Sequence, residues 1–336
     1  MGNRELDYID ITKVLLTFFV LLSHILKMFT SKGAFLLGDS LVCNYLTNFF
    51  YSFQIPLFFF VSGYVYNITY SRYDSLKIFY IKKIKRLIIP YLFWGMVIWP
   101  PLVVLLKINT FHSVYEYVWN GIILGYDSKH LWFLLSLFIT FLLFSFIQIK
   151  RINNLALLSI SIILFILSFF VPSIFQISHS CYYQLFFVIG FLYKEKEVNI
   201  KKIHFLIILQ CIILHIVFVK FSFSNSLINK LKELLCAFLG IIDTLYISFF
   251  LSFKIKNRFI NYLYDNSMGI YIIHPFILYI ISYYLQNFSI SNYFIIIISM
   301  LLFIVVVSIA ICELIGRINL GFLLGNSRKK HDKKID

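Results

Sequence analysis

The sequence predicts an all-α, polytopic integral membrane protein with about ten transmembrane helices and both termini in the cytoplasm. Of its 336 residues, 60% are hydrophobic, 20% are aromatic and only 13% are charged. A soluble domain of this size carries about 25% charged residues. Mean hydropathy is +0.87. The residues between the hydrophobic runs are too few to form a sizeable soluble domain, so the bilayer is the expected solvent.

Ten hydrophobic spans follow one another along the chain, and their even number is consistent with termini on the same side. The sixth is the shortest. If the N-terminus is cytoplasmic, the inner segments hold 23 of the 30 Lys and Arg residues, and this excess predicts the orientation. The spans lie near residues 11–29, 46–66, 87–106, 130–149, 155–172, 181–193, 203–219, 235–253, 268–286 and 293–315.

The formal net charge of +15 is therefore mainly a topology signal, and we do not expect a nucleic-acid partner. Its second expected effect is attraction to membrane lipid or to an anionic cytoplasmic ligand. The 5 cysteines are scattered and form no C-x-x-C pair. We expect neither a disulfide framework nor a metal site.

Polar side chains interrupt the first span, where Lys13 and His24 lie eleven residues apart. At 100° per residue they return to nearly the same helix face, separated by roughly 16 Å along the axis. Asp10 and Thr17 project from the same side. A charge within the hydrocarbon costs about 2.5–3.5 kcal/mol on insertion scales, so such a stripe indicates a functional site.

The second span contains a proline, in the sequence FQIPLFFFVSGY at 53–64. Pro56 removes a backbone donor and kinks the helix, which a membrane tolerates only where neighbours or water satisfy the backbone. Ser62 and Gly63 follow near the expected cytoplasmic end. An ordinary kinked, closely packed helix explains this segment equally well.

Four cations, Lys82, Lys83, Lys85 and Arg86, come immediately before the third span. The first interpretation is that they anchor the cytoplasmic end of that span. The second is a phosphate clamp, because several cations at one place neutralise a polyphosphate group and arginine can bond it in bidentate fashion.

Two later segments carry further polar and aromatic candidates. His130 and Trp132 lie at the start of the fourth span, where the aromatic ring is either a membrane-interface residue or a surface on which a sugar stacks. In the ninth span His274 precedes Pro275, so we expect the helix to bend at the histidine. A lone buried histidine is more often structural, but His24 is a second intramembrane histidine.

Other polar residues in the spans have no partner that the sequence identifies. Asp243 and Glu313 are carboxylates in the eighth and tenth spans. His215 and Gln184 lie in the seventh and sixth. No role is predicted for these four residues.

These segments, in this order, resemble the acyltransferase 3 family of membrane acyltransferases, including its bacterial polysaccharide O-acetyltransferase branch. The likeness extends over about residues 7–315. Some relatives carry an additional soluble esterase-like domain, and we expect this chain to be the membrane module without it. The family commonly has arginine at the position of Lys13. The motifs that carry the resemblance are Lys13 with His24; Pro56, Leu57, Phe58, Phe59, Ser62, Gly63 and Tyr64; Lys83, Arg86, Pro90 and Tyr91; Trp132 and Phe133; and Ser267, Tyr271, His274 and Pro275.

The resemblance implies transfer of an acetyl or other short acyl group from cytoplasmic acyl-CoA to a hydroxyl of an envelope or exported polysaccharide. Acyl-CoA would be a donor substrate and not a permanently bound cofactor. On this hypothesis His24 is the general base or itself carries the acyl group, and Lys13, Ser62 or protonated His274 supplies the oxyanion donor.

The same resemblance assigns the remaining candidates to binding. Lys82, Lys83, Lys85 and Arg86 would hold acyl-CoA, and His130, Trp132 and Tyr271 would contact the glycan. We expect an acyltransferase-like transmembrane domain over 1–316, a basic cytoplasmic tail over 317–336 and association with polysaccharide biosynthesis machinery. The competing hypothesis is a polysaccharide exporter or flippase, which needs a polar cavity but no acyl-CoA.

Overall fold

A computed structural model describes residues 8–33, 35, 37–70, 75–108, 113–126, 129–149, 152–196, 205–221, 226–254, 258–288 and 292–325. This part of the chain is helical and contains no strand. Its long helices are α1 (Tyr8–Lys27), α2 (Leu41–Tyr70), α3 (Leu76–Leu105), α4 (Trp132–Ile149), α5 (Asn154–Leu167), α6 (Ile177–Glu195), α7 (Phe205–Lys220), α8 (Ser226–Lys254), α9 (Arg258–Leu285) and α10 (Tyr293–Arg317).

Each predicted span coincides with one of these helices. By length and composition, 7 helices are able to cross a membrane. The helices α5, α6 and α7 do not meet that criterion: α5, for example, has 14 residues, or about 21 Å at 1.5 Å per residue, against a hydrocarbon core of about 30 Å. A polytopic all-helical membrane protein is confirmed, whereas the number of ten crossings and the cytoplasmic termini stay predictions.

Helix ends follow local capping rules where the sequence supplies a short polar side chain. The Ser75 hydroxyl accepts a hydrogen bond from the Ile78 amide at 3.3 Å and starts α3. The Asn153 side chain accepts one from the Ala156 amide at 2.8 Å and starts α5. These caps satisfy amides that have no partner within the helix.

The third helix is interrupted by two π-helical turns, Ile84–Ile88 and Trp94–Ile98. Each turn ends shortly before a proline, Pro90 or Pro100. Proline has no N–H to donate, and a π-turn widens the helix locally where the regular pattern fails. Of the predicted basic segment, Lys85 and Arg86 lie on the first of these turns, and Lys82 and Lys83 lie on the α-helical stretch before it.

The chain divides into two compact units. Unit 1 comprises Met1–Val61, Glu197–Ser267 and Leu278–Val306, and unit 2 comprises Ser62–Lys196, Met268–Ile277 and Val307–Asp336. The helices α1, α7 and α8 belong to unit 1, and α3 to α6 belong to unit 2.

Unit 1 is held by contacts of α8 with α1 and α7. A close approach between α2 and α8 depends on Gly240, because a Cβ at this position would lie 2.3 Å from Cγ of Phe53. The Tyr45 hydroxyl donates to the Ile216 carbonyl at 2.6 Å and links α2 to α7. The start of α2 is thereby fixed against two helices that come much later in the chain.

Unit 2 has an aromatic core around Tyr66 of α2. Its ring lies 5.5 Å from Phe79, 5.1 Å from Phe144 and 5.8 Å from Phe187, centre to centre. The neighbouring Gly63 brings α2 against α6, because a Cβ on Gly63 would lie 1.9 Å from the Phe187 carbonyl oxygen. No side chain fits this contact unless one of the helices moves.

We expect Gly63→Ala to lower the thermal unfolding temperature of the detergent-purified protein. Overpacking a close helix contact costs about 1–3 kcal/mol, and the obstacle is backbone, which cannot rotate away. Gly316→Ala is the matched control, because no atom of the described residues lies within 4 Å of the Cβ it would add. The control should be unchanged or more stable, since alanine favours helix by about 0.5–1 kcal/mol. Equal unfolding temperatures of Gly63→Ala and wild type would contradict the close-contact explanation.

Candidate active site

The polar stripe predicted on the first span lies on one side of α1 in unit 1. Asp10 is 5% exposed and Thr17 is 8% exposed, whereas Lys13 and His24 are half-buried. The Thr17 hydroxyl donates to the Lys13 carbonyl at 2.9 Å, so it adds no unpaired donor to the stripe. The stripe therefore presents an ammonium group and an imidazole at different levels of one helix.

Lys13 is held by groups from two helices. Its Nζ donates to the Tyr264 hydroxyl of α9 at 3.0 Å and lies 4.0 Å from Oδ1 of Asp10. It also lies 4.7 Å from the centre of the Tyr264 ring. A carboxylate, a hydroxyl and an aromatic face together offset the cost of removing the ammonium from water.

His24 lies roughly 16 Å further along α1. Its ring is 6.0 Å from that of Tyr51 on α2, centre to centre. One residue earlier, the buried Ser23 hydroxyl lies 2.9 Å from Oε1 of Gln54. Polar groups of α1 and α2 thus meet at the level of His24, while Lys13 occupies a separate level with its own partners.

A second group of predicted residues comes together in unit 2, where His130, Tyr271 and His274 are buried. The Tyr271 hydroxyl donates to the His130 carbonyl at 2.7 Å. The two imidazole centres are 6.4 Å apart. Phe276 and Trp99 enclose His130, with ring centres 5.1 and 6.0 Å away. We call His130, Tyr271 and His274 the histidine cluster.

The hydrogen bonds within the histidine cluster determine which ring nitrogen carries a proton. Nε2 of His130 lies 3.2 Å from the Ile272 carbonyl, and Nδ1 of His274 lies 3.0 Å from the Ile270 carbonyl. A carbonyl only accepts, so both of these nitrogens are donors. In the neutral imidazoles the opposite nitrogens, Nδ1 of His130 and Nε2 of His274, are then acceptors.

Two further predicted site residues lie elsewhere in unit 2. Trp132 packs against His179 and Tyr183 of α6, with ring centres 4.7 and 5.9 Å away. Ser62 is half-buried on α2, next to the close contact that Gly63 makes. The described contacts do not join either residue to the histidine cluster.

The basic segment divides into two kinds of side chain. Lys82, Lys85 and Arg86 are exposed. Lys83 is half-buried, and its Nζ lies 3.5 Å from the centre of the Phe141 ring and 5.2 Å from that of Phe79. Three cations therefore lie at the surface of the described part of the chain, while the fourth is packed over aromatic faces.

Sequence reasoning missed Tyr264 and Tyr51, the residues that contact Lys13 and His24. Tyr264 lies seven residues before Tyr271, a spacing that returns to a similar helix face, and this was the available signal. Nothing in the sequence indicates Tyr51. Within the described ranges no group of three His, Cys, Asp or Glu side chains has a geometry that would hold a metal ion.

Comparison with known proteins assigns the chain to a family. The model of the acyltransferase 3 family, described as an acyltransferase domain, matches residues 6–313. This match spans nearly the whole chain, and the protein belongs to that family. The resemblance that the motifs indicated is confirmed, and with it a membrane acyltransferase in general terms. No curated protein and no solved structure matches the chain.

We expect Tyr271→Phe to lower the thermal unfolding temperature. The ring is retained, but the buried hydrogen bond to the His130 carbonyl is lost, which costs about 1–3 kcal/mol when a buried group loses its partner. Tyr284→Phe is the control, because that residue is 64% exposed and its substitution should change stability little. If both variants unfold at the wild-type temperature, Tyr271 does not fix His130.

Proposed function

We propose that this acyltransferase moves an acetyl or other short acyl group from cytoplasmic acyl-CoA to a hydroxyl group of an envelope or exported polysaccharide. The observation that carries the proposal is the position of His24, an imidazole on a membrane helix that belongs to an acyltransferase domain. The plasma membrane is the expected location, and the polysaccharide biosynthesis machinery is the expected partner.

His24 has the chemistry that a hydroxyl acceptor requires. A neutral imidazole takes a proton from a hydroxyl near pH 7, and it must come within hydrogen-bond reach of that hydroxyl. In the orientation that the positive charges predict, His24 lies toward the outer end of α1, where a glycan would approach. Its half-burial leaves part of the ring accessible.

Lys13 would act at the opposite end of the same helix. Eleven residues separate it from His24, and a lysine side chain does not extend over the roughly 16 Å that this spacing implies. We therefore propose that Lys13, oriented by Tyr264 and Asp10, stabilises negative charge on the donor as it enters from the cytoplasm. Ser62 and protonated His274 are the other proposed oxyanion donors.

The exposed cations Lys82, Lys85 and Arg86 are the proposed contact for the phosphates of acyl-CoA. Charge-assisted hydrogen bonds to phosphate are stronger than neutral ones, and arginine adds bidentate geometry. His130, Trp132 and Tyr271 are the proposed glycan contacts. Trp132 has the flat surface for stacking on a sugar, and its packing against His179 orients the ring.

We expect His24→Ala to abolish acyl transfer while the protein stays in the membrane, because the reaction loses its base, which is worth about 10²–10⁴-fold. The measurement is proton NMR of surface polysaccharide from cells with wild-type protein, the variant or no protein. Thr12→Val is the matched control, since Thr12 is buried on the same helix and donates only to the Tyr8 carbonyl. Normal O-acylation in the His24→Ala cells would remove His24 from the chemistry.

The same experiment tests the exporter hypothesis. Intact polymer that lacks O-acyl signals without the protein is the result expected of an acyltransferase. Loss of surface polymer, with its acyl pattern otherwise normal, would instead identify an exporter and contradict the proposal.

We expect the triple substitution of Lys82, Lys85 and Arg86 by Gln to raise the apparent KM for acyl-CoA about ten-fold, with kcat less affected, because removed binding contacts act before the chemical step. CoA should also raise the unfolding temperature of the wild type more than that of the variant.

The control replaces Lys194 and Lys196, which are basic residues at the end of another helix. An unchanged KM in the triple variant, or an equal increase of KM in the control, would contradict the proposed binding role. The basic segment would then only anchor the cytoplasmic end of α3.

A further inference from the structure

Three polar side chains from three helices of unit 1 are hydrogen-bonded in series. Oγ of Ser52 on α2 lies 2.9 Å from Nε2 of His215 on α7. Nδ1 of the same imidazole lies 3.2 Å from Oδ2 of Asp243 on α8. We call these residues the Ser52 triad. A nucleophile beside a base that a carboxylate orients is the arrangement that activates a hydroxyl group.

The two hydrogen bonds of the His215 imidazole determine which ring nitrogen carries the proton. When ionised, the Asp243 carboxylate only accepts, so Nδ1 of His215 carries the proton and Nε2 presents a lone pair to Ser52. The Ser52 hydroxyl has two acceptors within reach, Nε2 of His215 and the Phe49 carbonyl at 2.7 Å. Within the described part of the chain, Oδ1 of Asp243 has no hydrogen-bond partner, so His215 is the side chain that this carboxylate orients.

The His215 imidazole is enclosed by aromatic side chains and is inaccessible to solvent. His215 is 0% exposed, and Phe49 stacks on it with ring centres 4.3 Å apart. Phe53 covers its edge at 5.4 Å, and Gly240 lets Phe53 approach α8. A low dielectric strengthens each electrostatic contact in the triad. Ser52 is half-buried, so the nucleophile remains accessible while the base and the carboxylate are enclosed.

Two further features set Ser52 apart from an ordinary helix serine. Pro56 has no N–H to donate to the Ser52 carbonyl four residues earlier, so this carbonyl lacks its regular donor within α2. The preceding residue, Tyr51, contacts the ring of His24. The Ser52 triad therefore lies at the same level of α2 as the proposed base of the acyl-transfer reaction.

We propose that Ser52 is a nucleophile that carries the acyl group as a serine ester. In the first step its Oγ attacks the thioester carbonyl, the Oγ–C bond forms and the C–S bond breaks. The proton moves from Oγ to Nε2 of His215 and then to the CoA thiolate. In the second step the acceptor hydroxyl gives its proton to His24 and attacks the ester, the bond between the acceptor oxygen and the acyl carbon forms, the C–Oγ bond breaks, and the proton returns from His24 to Oγ of Ser52.

This inference rests on the proposed function for the identity of the acyl donor, but the nucleophile can be tested without acyl-CoA. A lipophilic alkyl fluorophosphonate reacts with activated serines: the Oγ–P bond forms, and fluoride leaves with the serine proton. Wild-type protein in detergent is treated with the probe, digested, and mapped by mass spectrometry. We expect the phosphonate on Ser52.

The variants test the roles in the triad. Ser52→Ala should lose the adduct, and His215→Gln should slow its formation about 100-fold or more, because the general base is removed. Asp243→Asn should also slow it, since the imidazole loses its orienting carboxylate. Ser252→Ala is the matched control: Ser252 is also half-buried on a helix and donates to the carbonyl three residues earlier, at 2.6 Å, without a histidine.

A second measurement uses the substrate. Wild-type protein is mixed with radiolabelled acetyl-CoA, quenched in acid, and the labelled peptide is identified. A hydroxylamine-sensitive ester on Ser52, absent in Ser52→Ala, is the expected result. Label on His24 with none on Ser52 would overturn the inference and leave the proposed function standing.

The two proposals fail separately. A phosphonate adduct on Ser52 without acyl transfer to glycan would contradict the proposed function but retain the nucleophile. The inference would be wrong if the wild type transfers acyl groups with no adduct on Ser52, and if a Ser52→Ala protein that unfolds at the wild-type temperature shows undiminished transfer. The Ser52 triad would then be a packing contact without a catalytic role. The wild-type adduct map decides the question even if a variant fails to fold.

Discussion

The structure depends on one constraint, that a polar group on a membrane helix must find its partner inside the protein. In the described part of the chain two kinds of hydrogen bond answer this demand. Hydroxyls such as that of Thr17 bond back to a carbonyl of their own helix. Lys13 and His215 instead bond across helices, Lys13 with Tyr264 and His215 with Asp243. The second kind of contact joins distant parts of the sequence, and it is also where the candidate chemistry lies.

Three prolines each remove a backbone hydrogen-bond donor close to the candidate functional residues. Pro56, Pro90 and Pro275 follow Ser52, Arg86 and Tyr271 by four residues, so each removes the regular donor to that residue's carbonyl. The consequences differ. α3 widens into a π-turn before Pro90, whereas α9 stays α-helical through Pro275, and Nδ1 of His274 donates to the Ile270 carbonyl in the preceding turn. Missing backbone donors thus coincide with the proposed donor-binding, glycan-binding and nucleophilic residues.

Close packing has a different basis in the two units. In unit 2, Gly63 of α2 allows the backbone of α6 to approach, and the aromatic side chains around Tyr66 fill the remaining space. In unit 1, Gly240 of α8 admits the ring of Phe53, which then covers His215. Without a hydrophobic force between helices in lipid, small residues and interhelical hydrogen bonds are the expected means of association. In unit 1 the contact that lets the helices approach therefore also encloses the imidazole of His215.

Much of the fold was accessible to sequence analysis, because ten hydrophobic runs identify ten helices whatever their neighbours are. The polar stripe of α1 was equally accessible, since helical periodicity places Lys13 and His24 on one face. Five motifs in order identified the family that comparison confirmed. The predicted length of one span was wrong. The hydrophobic run at 155–172 is helical only over Asn154–Leu167, which is α5, because the apolar composition continues past the residue where the helix ends.

The sequence by itself determined which residues lie in the long apolar helices and which of them are polar enough to require explanation. Only the tertiary structure decided the partners. Tyr264 meets Lys13 across 251 positions, and Ser52 meets His215 across 163. Periodicity assigns a side chain to a face of its own helix but carries no information on which other helix packs there. The pairing of polar groups is consequently a property of helix packing, and it joined a histidine and an aspartate that had no assigned role into one site with Ser52.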